Sequence, residues 1–222
     1  MSPWVLLGSP GTGRSACPSR LSERLGLPTL SVRKILHSAA QAKTAKRLRY
    51  FLDGSTPIPA PLVLSLLTPH LEQLDPKQAA ILSGFPQTLA QAQALDTWLI
   101  GRGLAPSHAT KLELSHDDAV RRLNGRRFCR RCPNTFFNIF FSPPQDDGRC
   151  DACHEPLYQR TQDRLDLVLR RLARRAQEDM PLERYYESLG HLHRVDAHGS
   201  LSDVVERVCE GMRAPLRMAM GF

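Results

Sequence analysis

An α/β fold built on a parallel sheet is predicted by two observations: a short apolar strand runs straight into a glycine loop and a helix, and further short apolar runs recur between helical patterns. A third observation, four cysteines gathered in one irregular stretch, predicts a small insertion on that frame.

Trp4 to Leu7 is the first strand, ending in Gly8-Ser9-Pro10-Gly11-Thr12-Gly13, and from Ser19 to Leu25 the apolar spacing turns helical. A second helical stretch covers Val32 to Leu52, and Gly54-Ser55-Thr56-Pro57-Ile58-Pro59-Ala60-Pro61 breaks it as a hinge. Leu62 to Leu74 reads as a helix, Asp75-Pro76 punctuates it, and Ala79 to Leu82 is a continuous apolar run of buried-strand type. Gly84-Phe85-Pro86 stops that strand. A helix (Ala90 to Arg102), a strand (Lys111 to Leu114) and a helix (Asp117 to Asn124) follow, then the cysteine insertion, a long helix from Gln162 and a last strand, His193 to Asp196. Strands separated by helices imply right-handed parallel crossovers.

The 222 residues are 41% hydrophobic and 23% charged, which excludes disorder, collagen and a disulfide-held miniprotein. About 70% of the unfolded surface can be buried at this length. The start has neither a signal peptide nor a presequence pattern, and no run suffices for a membrane span, so a cytoplasmic or organelle-matrix protein is expected. The net charge is +8, and arginine carries it: 25 Arg against 5 Lys, 13 of the arginines between positions 121 and 175. Clustered guanidinium groups suit polyphosphate or RNA, although Arg170, Arg171, Arg174 and Arg175 read equally well as a solvated helix face.

Cys129-Arg130-Arg131-Cys132 and Cys150-Asp151-Ala152-Cys153 form two C-x2-C pairs with 17 residues between them. Four thiolates so spaced make a closed tetrahedral site, structural rather than catalytic, with zinc expected and another thiophilic metal as the alternative. A redox pair or two disulfides is the rival reading. Cys17 and Cys209 lack paired spacing and read as apolar side chains. Phe136, Phe137, Phe140 and Phe141 are expected to form the insertion's own small core or its contact surface, with base stacking as the alternative. Histidines 191, 193 and 198 read as strand and loop residues.

Gly8 to Ser15 has the spacing G-x-x-x-x-G-K-[ST] of a phosphate-binding loop, with Arg14 at the lysine position. With this loop the chain resembles the adenylate kinases, in their long form with a zinc-bearing LID. Leu25 to Ser31 is similar to that family's exit into its AMP-binding segment, and Ile58-Pro59-Ala60-Pro61-Leu62-Val63 to its V-P-x-x-L-V. Gly84-Phe85-Pro86 with Gln91 resembles D-G-F-P-R-T-x-x-Q, Arg122 to Arg127 resembles R-x-x-G-R-R at the LID entrance, and Leu157-Tyr158-Gln159-Arg160 with Asp163 resembles the LID exit.

The resemblance implies a P-loop NTPase-type core with a five-stranded parallel sheet (1–30, 61–124 and 162–222), a helical NMP-binding insertion (31–60) and a zinc-binding LID (125–161). It implies ATP binding by Gly8, Pro10, Gly11, Thr12, Gly13, Arg14 and Ser15, nucleotide contacts from Gly84 and Gln91, and charge neutralisation by Arg14, Arg122, Arg126, Arg160 and Arg171. Elsewhere the pattern is broken. His37 and Gln87 stand where the family has its two acceptor-phosphate arginines, and Ser83 where it has the aspartate that helps hold magnesium. Val32, Arg33 and Lys34 replace the last three residues of its S-T-G-D. Ala16 replaces a threonine, and Pro18 is expected to bend the helix that aims at phosphate. Val195 to Ser200 resembles the adenine loop V-D-G-T-x-P with its glycine and proline displaced.

The expectation is therefore a nucleotide-binding protein, for ATP or a related polyphosphate, with ATP:AMP phosphotransfer lost or strongly impaired, acting in binding or as a scaffold with protein partners. The alternatives are an active nucleoside monophosphate kinase with a rebuilt acceptor site, and an RNA-associated module.

Overall fold

The computed structural model describes residues 3–41, 48, 51, 56–75, 78–133 and 135–220, with side chains as far as 213. The elements are β1 (Pro3–Gly8), α1 (Cys17–Leu25), β2 (Thr29–Ser31), α2 (Val32–Ala40), α3 (Ala60–Leu71), β3 (Ala80–Ser83), α4 (Leu89–Ile100), β4 (His108–Glu113), α5 (His116–Asn124), β5 (Arg126–Phe128), β6 (Phe136–Asn138), a 3-10 turn (Thr161–Asp163), α6 (Leu165–Ser188), β7 (Leu192–Asp196) and α7 (Leu201–Met220).

Five strands pair in parallel in the order β2-β3-β1-β4-β7. β1 lies in the middle, where the strand order reverses, the place at which open α/β sheets bind ligands beyond their carboxyl ends. Every β1 residue is buried, as a strand covered on both faces must be. Its neighbours in the core include Leu82, Leu95, Leu99, Leu182 and Tyr186. Trp4 hides a polar group there, its indole Nε1 donating to Thr110 Oγ1 at 2.7 Å.

Contacts divide the chain into two compact bodies. One comprises Met1–Gly8, Gly13–Glu113 and Glu178–Phe222 and holds the five-stranded sheet. The other comprises Ser9–Thr12 and Leu114–Gln177. Its small apolar cluster joins Ala119 and Leu123 of α5 to Val168 and Leu172 of α6. Beyond α5, β5 and β6 form an antiparallel pair, and Phe128 also bridges Tyr158. Gly125 opens this ribbon. A Cβ there would lie 2.5 Å from Asn138 Oδ1 and 2.7 Å from Arg121 O, so the ribbon closes against α5 only with glycine at that position.

Local chemistry explains most helix starts. Ser31, Thr88 and Ser115 accept from the backbone N–H three residues on, at the heads of α2, α4 and α5. Ser200 and Asp203 cap α7 reciprocally.

Several expectations need correction. β4 starts at His108, three residues before the expected strand, because its buried Thr110 is satisfied by Trp4 and so need not interrupt the ladder. The three-residue β2, the β5–β6 pair and the C-terminal helix α7 were not expected from the apolar pattern. Arg213 sits on α7. The long helix begins at Leu165, after a 3-10 turn, and continues through Pro181. Pro18 lies in the first turn of α1, where the N–H that it removes would have no intrahelical partner. Of the hinge, Thr56 to Pro61 leads into α3, with Pro59 at its cap; residues 52–55, like most of the expected helix beyond Gln41, lie outside the described residues.

Candidate functional site

The glycine loop follows β1 without a break. Gly8, Gly11 and Gly13 all have positive φ, at 149°, 96° and 87°. At Gly11 a Cβ would meet the Ala119 backbone at 3.3 Å, so this turn needs glycine on both counts. Thr12 is buried, and its hydroxyl and N–H both donate to Ser9 O, at 2.9 and 3.3 Å. Beyond it, the N–H groups of Ala16 and Cys17 both reach Gly13 O, at 2.8 and 3.0 Å, and start α1 without a side-chain cap. The uncapped N-terminus of α1 is suited to an anion.

Four of the expected arginines belong to the second body, and three of them, Arg126, Arg160 and Arg171, act on one carboxylate, Asp163. Arg122 of α5 donates to Gly11 O at 3.3 Å, which ties the loop segment Ser9–Thr12 to that helix. Arg126 Nη1 and Arg171 Nη2 stand 4.0 and 3.8 Å from the same Oδ1 of Asp163. Arg160 lies with its guanidinium carbon 3.6 Å from the centroid of Phe128.

Asp163 itself is fully buried. Burial pushes its carboxyl above the usual carboxylate range, against the pull of Arg126, Arg171 and Arg160. Burial also pushes Arg126 down, with Asp163 opposing and Arg171 and Arg160 reinforcing the shift. The backbone around Asp163 is pinned. Asn124 Nδ2 and Gln159 Nε2 both donate to Asp163 O, and Gln159 also reaches Asn124 O. The two chain segments that lead into and out of the cysteine region are thereby tied. The sequence named Asp163 only as part of an exit motif; its role as a shared counter-charge depends on Arg126, far away in the chain, and had no local signal.

The Sγ atoms of Cys129, Cys132, Cys150 and Cys153 all lie within 4.8 Å of one another, and Cys129 and Cys153 are 3.5 Å apart. The Cys132 N–H points at Cys129 Sγ at 3.3 Å and lowers that thiol to about 7. All four are free of disulfides. Four converging sulfurs of two knuckles fit a tetrahedral thiophilic metal such as zinc. Cys17 and Cys209, by contrast, are buried apart from such a group, and burial raises both thiols, Cys17 to about 11.

Of the phenylalanines after the first knuckle, Phe137 is half-buried, and the other three are too exposed to form the expected small core. Phe136, Phe140 and Phe141 are 60%, 52% and 52% exposed, because the ribbon is too thin to cover its own rings. Phe128, which the sequence did not single out, sits among Phe136, Tyr158 and Arg160.

The remaining expected residues belong to the first body. Ser83 ends β3 in register with Ser31 at the end of β2, so two hydroxyls close these adjacent strands. Gln91 is buried, accepts from Gln87 N at 2.6 Å and donates to Ile58 O at 2.6 Å, which leaves one N–H and one lone pair of its amide. Gln87 turns its own amide back onto Gly84 O at 3.1 Å. His37, Arg33 and Lys34 are exposed on α2, the first two on one face by their i,i+4 spacing. In the final loop the His198 ring pairs with Asp196 through Nδ1, and this contact first, then the His198 N–H and Arg207, holds the Asp196 carboxyl below the ordinary range. Arg14 lies in this body too.

Known proteins resemble the chain along most of its length. The adenylate kinase family model matches residues 6–191. An adenylate kinase of Thermodesulfovibrio yellowstonii is 34% identical over 207 residues, 92% of this chain and 96% of that protein. One of Citrifermentans bemidjiense is 33% identical over 95% of this chain and 99% of its own length, and one of Streptomyces coelicolor is 31% identical over 94% and 97%. With the parallel sheet, the glycine loop after β1 and a match of this extent, the chain belongs to the adenylate kinase family of phosphotransferases.

Proposed function

We propose that this chain is a nucleotide-binding member of the family that holds ATP, or a related polyphosphate, but transfers phosphate to AMP poorly or not at all. The observation that carries the reading is at the acceptor side: Gln87, in the place of an acceptor arginine, spends its amide on Gly84 O, and His37 replaces the other. Each charge-assisted hydrogen bond is worth about 1.5 to 3 kcal/mol. Losing two costs about 3 to 6 kcal/mol, on the order of 10² to 10⁴ in rate or affinity.

On the donor side Gly8, Pro10, Gly11, Thr12, Gly13, Arg14 and Ser15 would cradle phosphate oxygens, with Arg122, Arg126, Arg160 and Arg171 neutralising charge. In this reading residues 125–161 are a LID whose four cysteines hold a structural zinc ion, and residues 31–60 an acceptor-side insertion. Gly84 and Gln91 would meet the second nucleotide with what capacity Gln91 retains. Ser31 and Ser83, in register at the strand ends, are a poor donor set for magnesium, since a hydroxyl does not replace a carboxylate beside a hard dication.

A second reading, an active kinase with a rebuilt acceptor site, draws on the gathered arginines of the second body and on the relatives' name, adenylate kinase. Labelled ATP, magnesium and each nucleoside monophosphate in turn, with metal-replete protein, separate the two. ATP binding without transfer is the expected result. Transfer to AMP at enzyme rates would overturn the proposal, and transfer to one other monophosphate would establish the second reading.

A further inference from the structure

We propose that Phe128 is a positioning residue that holds the guanidinium of Arg160 in place and anchors it to the four-cysteine site. The inference rests on the reading of Arg160 as a phosphate ligand. An arginine side chain has several rotatable bonds and loses about 2 kcal/mol of rotamer entropy when ordered. Arg160 is exposed, so packing from all sides does not order it. One ring does: the guanidinium carbon lies 3.6 Å from the Phe128 centroid, the closest of four such contacts among the described residues. Stacking uses the face of the guanidinium and leaves its in-plane N–H donors for a ligand.

The ring is itself fixed. Phe128 N donates to Tyr158 O at 2.9 Å and Tyr158 N to Phe128 O at 3.0 Å, so residues 128 and 158 form a closed backbone pair. Tyr158 and Phe136 flank the ring at 6.1 and 6.0 Å, and Arg130 covers Tyr158 at 4.8 Å. A ladder results, Arg160 on Phe128, Phe128 beside Tyr158, Tyr158 under Arg130. Cys129 lies between its two β5-side members in the chain, and the backbone of Cys150 pairs with Glu155 and His154 on the other side. Closing four sulfurs on a metal therefore fixes both edges of the ribbon that carries the ring.

The test uses full-length, zinc-loaded protein and the variants Phe128→Leu, Phe128→Trp, Arg160→Ala and Cys132→Ser. Thermal unfolding verifies that each variant is folded, and metal content that all but Cys132→Ser keep the ion. The Arg160 Nε–H resonance, displaced upfield by the ring, reports stacking; calorimetry with ATP reports binding. Phe128→Leu is expected to lose the upfield displacement and to weaken ATP binding about 2- to 30-fold at unchanged zinc content, with Phe128→Trp restoring both. Cys132→Ser is expected to lose the displacement while Phe128 is intact. An unchanged ATP affinity in Phe128→Leu alongside a weakened one in Arg160→Ala overturns the positioning role and leaves the ATP site standing. An unchanged affinity in Arg160→Ala overturns the reading of Arg160 itself. A displacement that persists in metal-free Cys132→Ser overturns the anchoring.

Discussion

Asp96 and Ser107 are joined twice, Oδ1 accepting from both the backbone N–H and the hydroxyl of Ser107 at 2.9 and 2.7 Å. Both residues are buried, and the group extends to Tyr185, whose hydroxyl donates to Oδ2 at 2.8 Å, and to Tyr186, 3.0 Å from Ser107 Oγ. Burial and the neighbouring Asp96 push the Tyr185 phenol well above its ordinary range. This network joins α4, the approach to β4 and α6. Asp96→Ala leaves three donors without their acceptor, and the expected loss is about 3 to 9 kcal/mol, since each unsatisfied buried group costs about 1 to 3. Urea unfolding measures it; a loss under about 1 kcal/mol would show that water replaces the carboxylate.

A stack of rings makes the fold sensitive to acid. His108 lies face to face with Trp4 at 5.0 Å and with His191 at 4.4 Å, and His193 stacks on Trp4 at 5.3 Å. Burial first, then His191 and His193, lower His108 to about 4 from its ordinary 6.5. The folded state thus refuses a proton that the unfolded chain accepts between these values. Stability is expected to fall as pH drops from 6.5 towards 4, by about 1 to 2 kcal/mol for this half-exposed site after solvent screening. His108→Phe should flatten the difference between urea midpoints at pH 7 and pH 5; an unaltered difference would assign the acid sensitivity to other groups, His193, which burial also lowers, or the carboxylates.

Removal of the metal should loosen the ribbon and leave the parallel sheet folded. Cys150 is wholly buried, and Cys150→Ser is expected to lose one equivalent of zinc and the hydrogen-exchange protection of residues 126–160. Exchange of β1 and β4 should be unaffected. Equal loss in the sheet would mean that the two bodies unfold together.

Restoring the acceptor charges tests the cause assigned to weak transfer. His37→Arg with Gln87→Arg is expected to raise AMP-dependent ADP formation at least about tenfold, a fraction of the 10² to 10⁴ computed for two lost bonds. No gain from folded protein would place the block at Arg14 or Ser83.

What could be read in advance was local. The strand Trp4 to Leu7, the glycines after it and the two cysteine knuckles announce themselves within a few residues each, and the structure has them as β1, a loop of positive-φ glycines and four converging sulfurs. β2 escaped notice because three half-buried residues show no period. Thr110 hid β4, a polar side chain that only Trp4 explains. The small core expected of the phenylalanines is not there for Phe136, Phe140 and Phe141, because an apolar run in a thin ribbon has no second layer to bury it.

By itself the sequence determined the α/β class, the phosphate-type loop and the metal-type cysteines, because each depends on backbone conformation and ligand spacing over a short stretch. Only the tertiary structure decided that Asp163 is shared by Arg126 and Arg171, that Phe128 carries Arg160, that three histidines and Trp4 form one stack, and that Asp96 meets Ser107 and Tyr185. Those partners lie up to 189 residues apart, as Trp4 and His193 do, and a pairing of that range is set by sheet register and helix placement rather than by any pattern that neighbouring residues display.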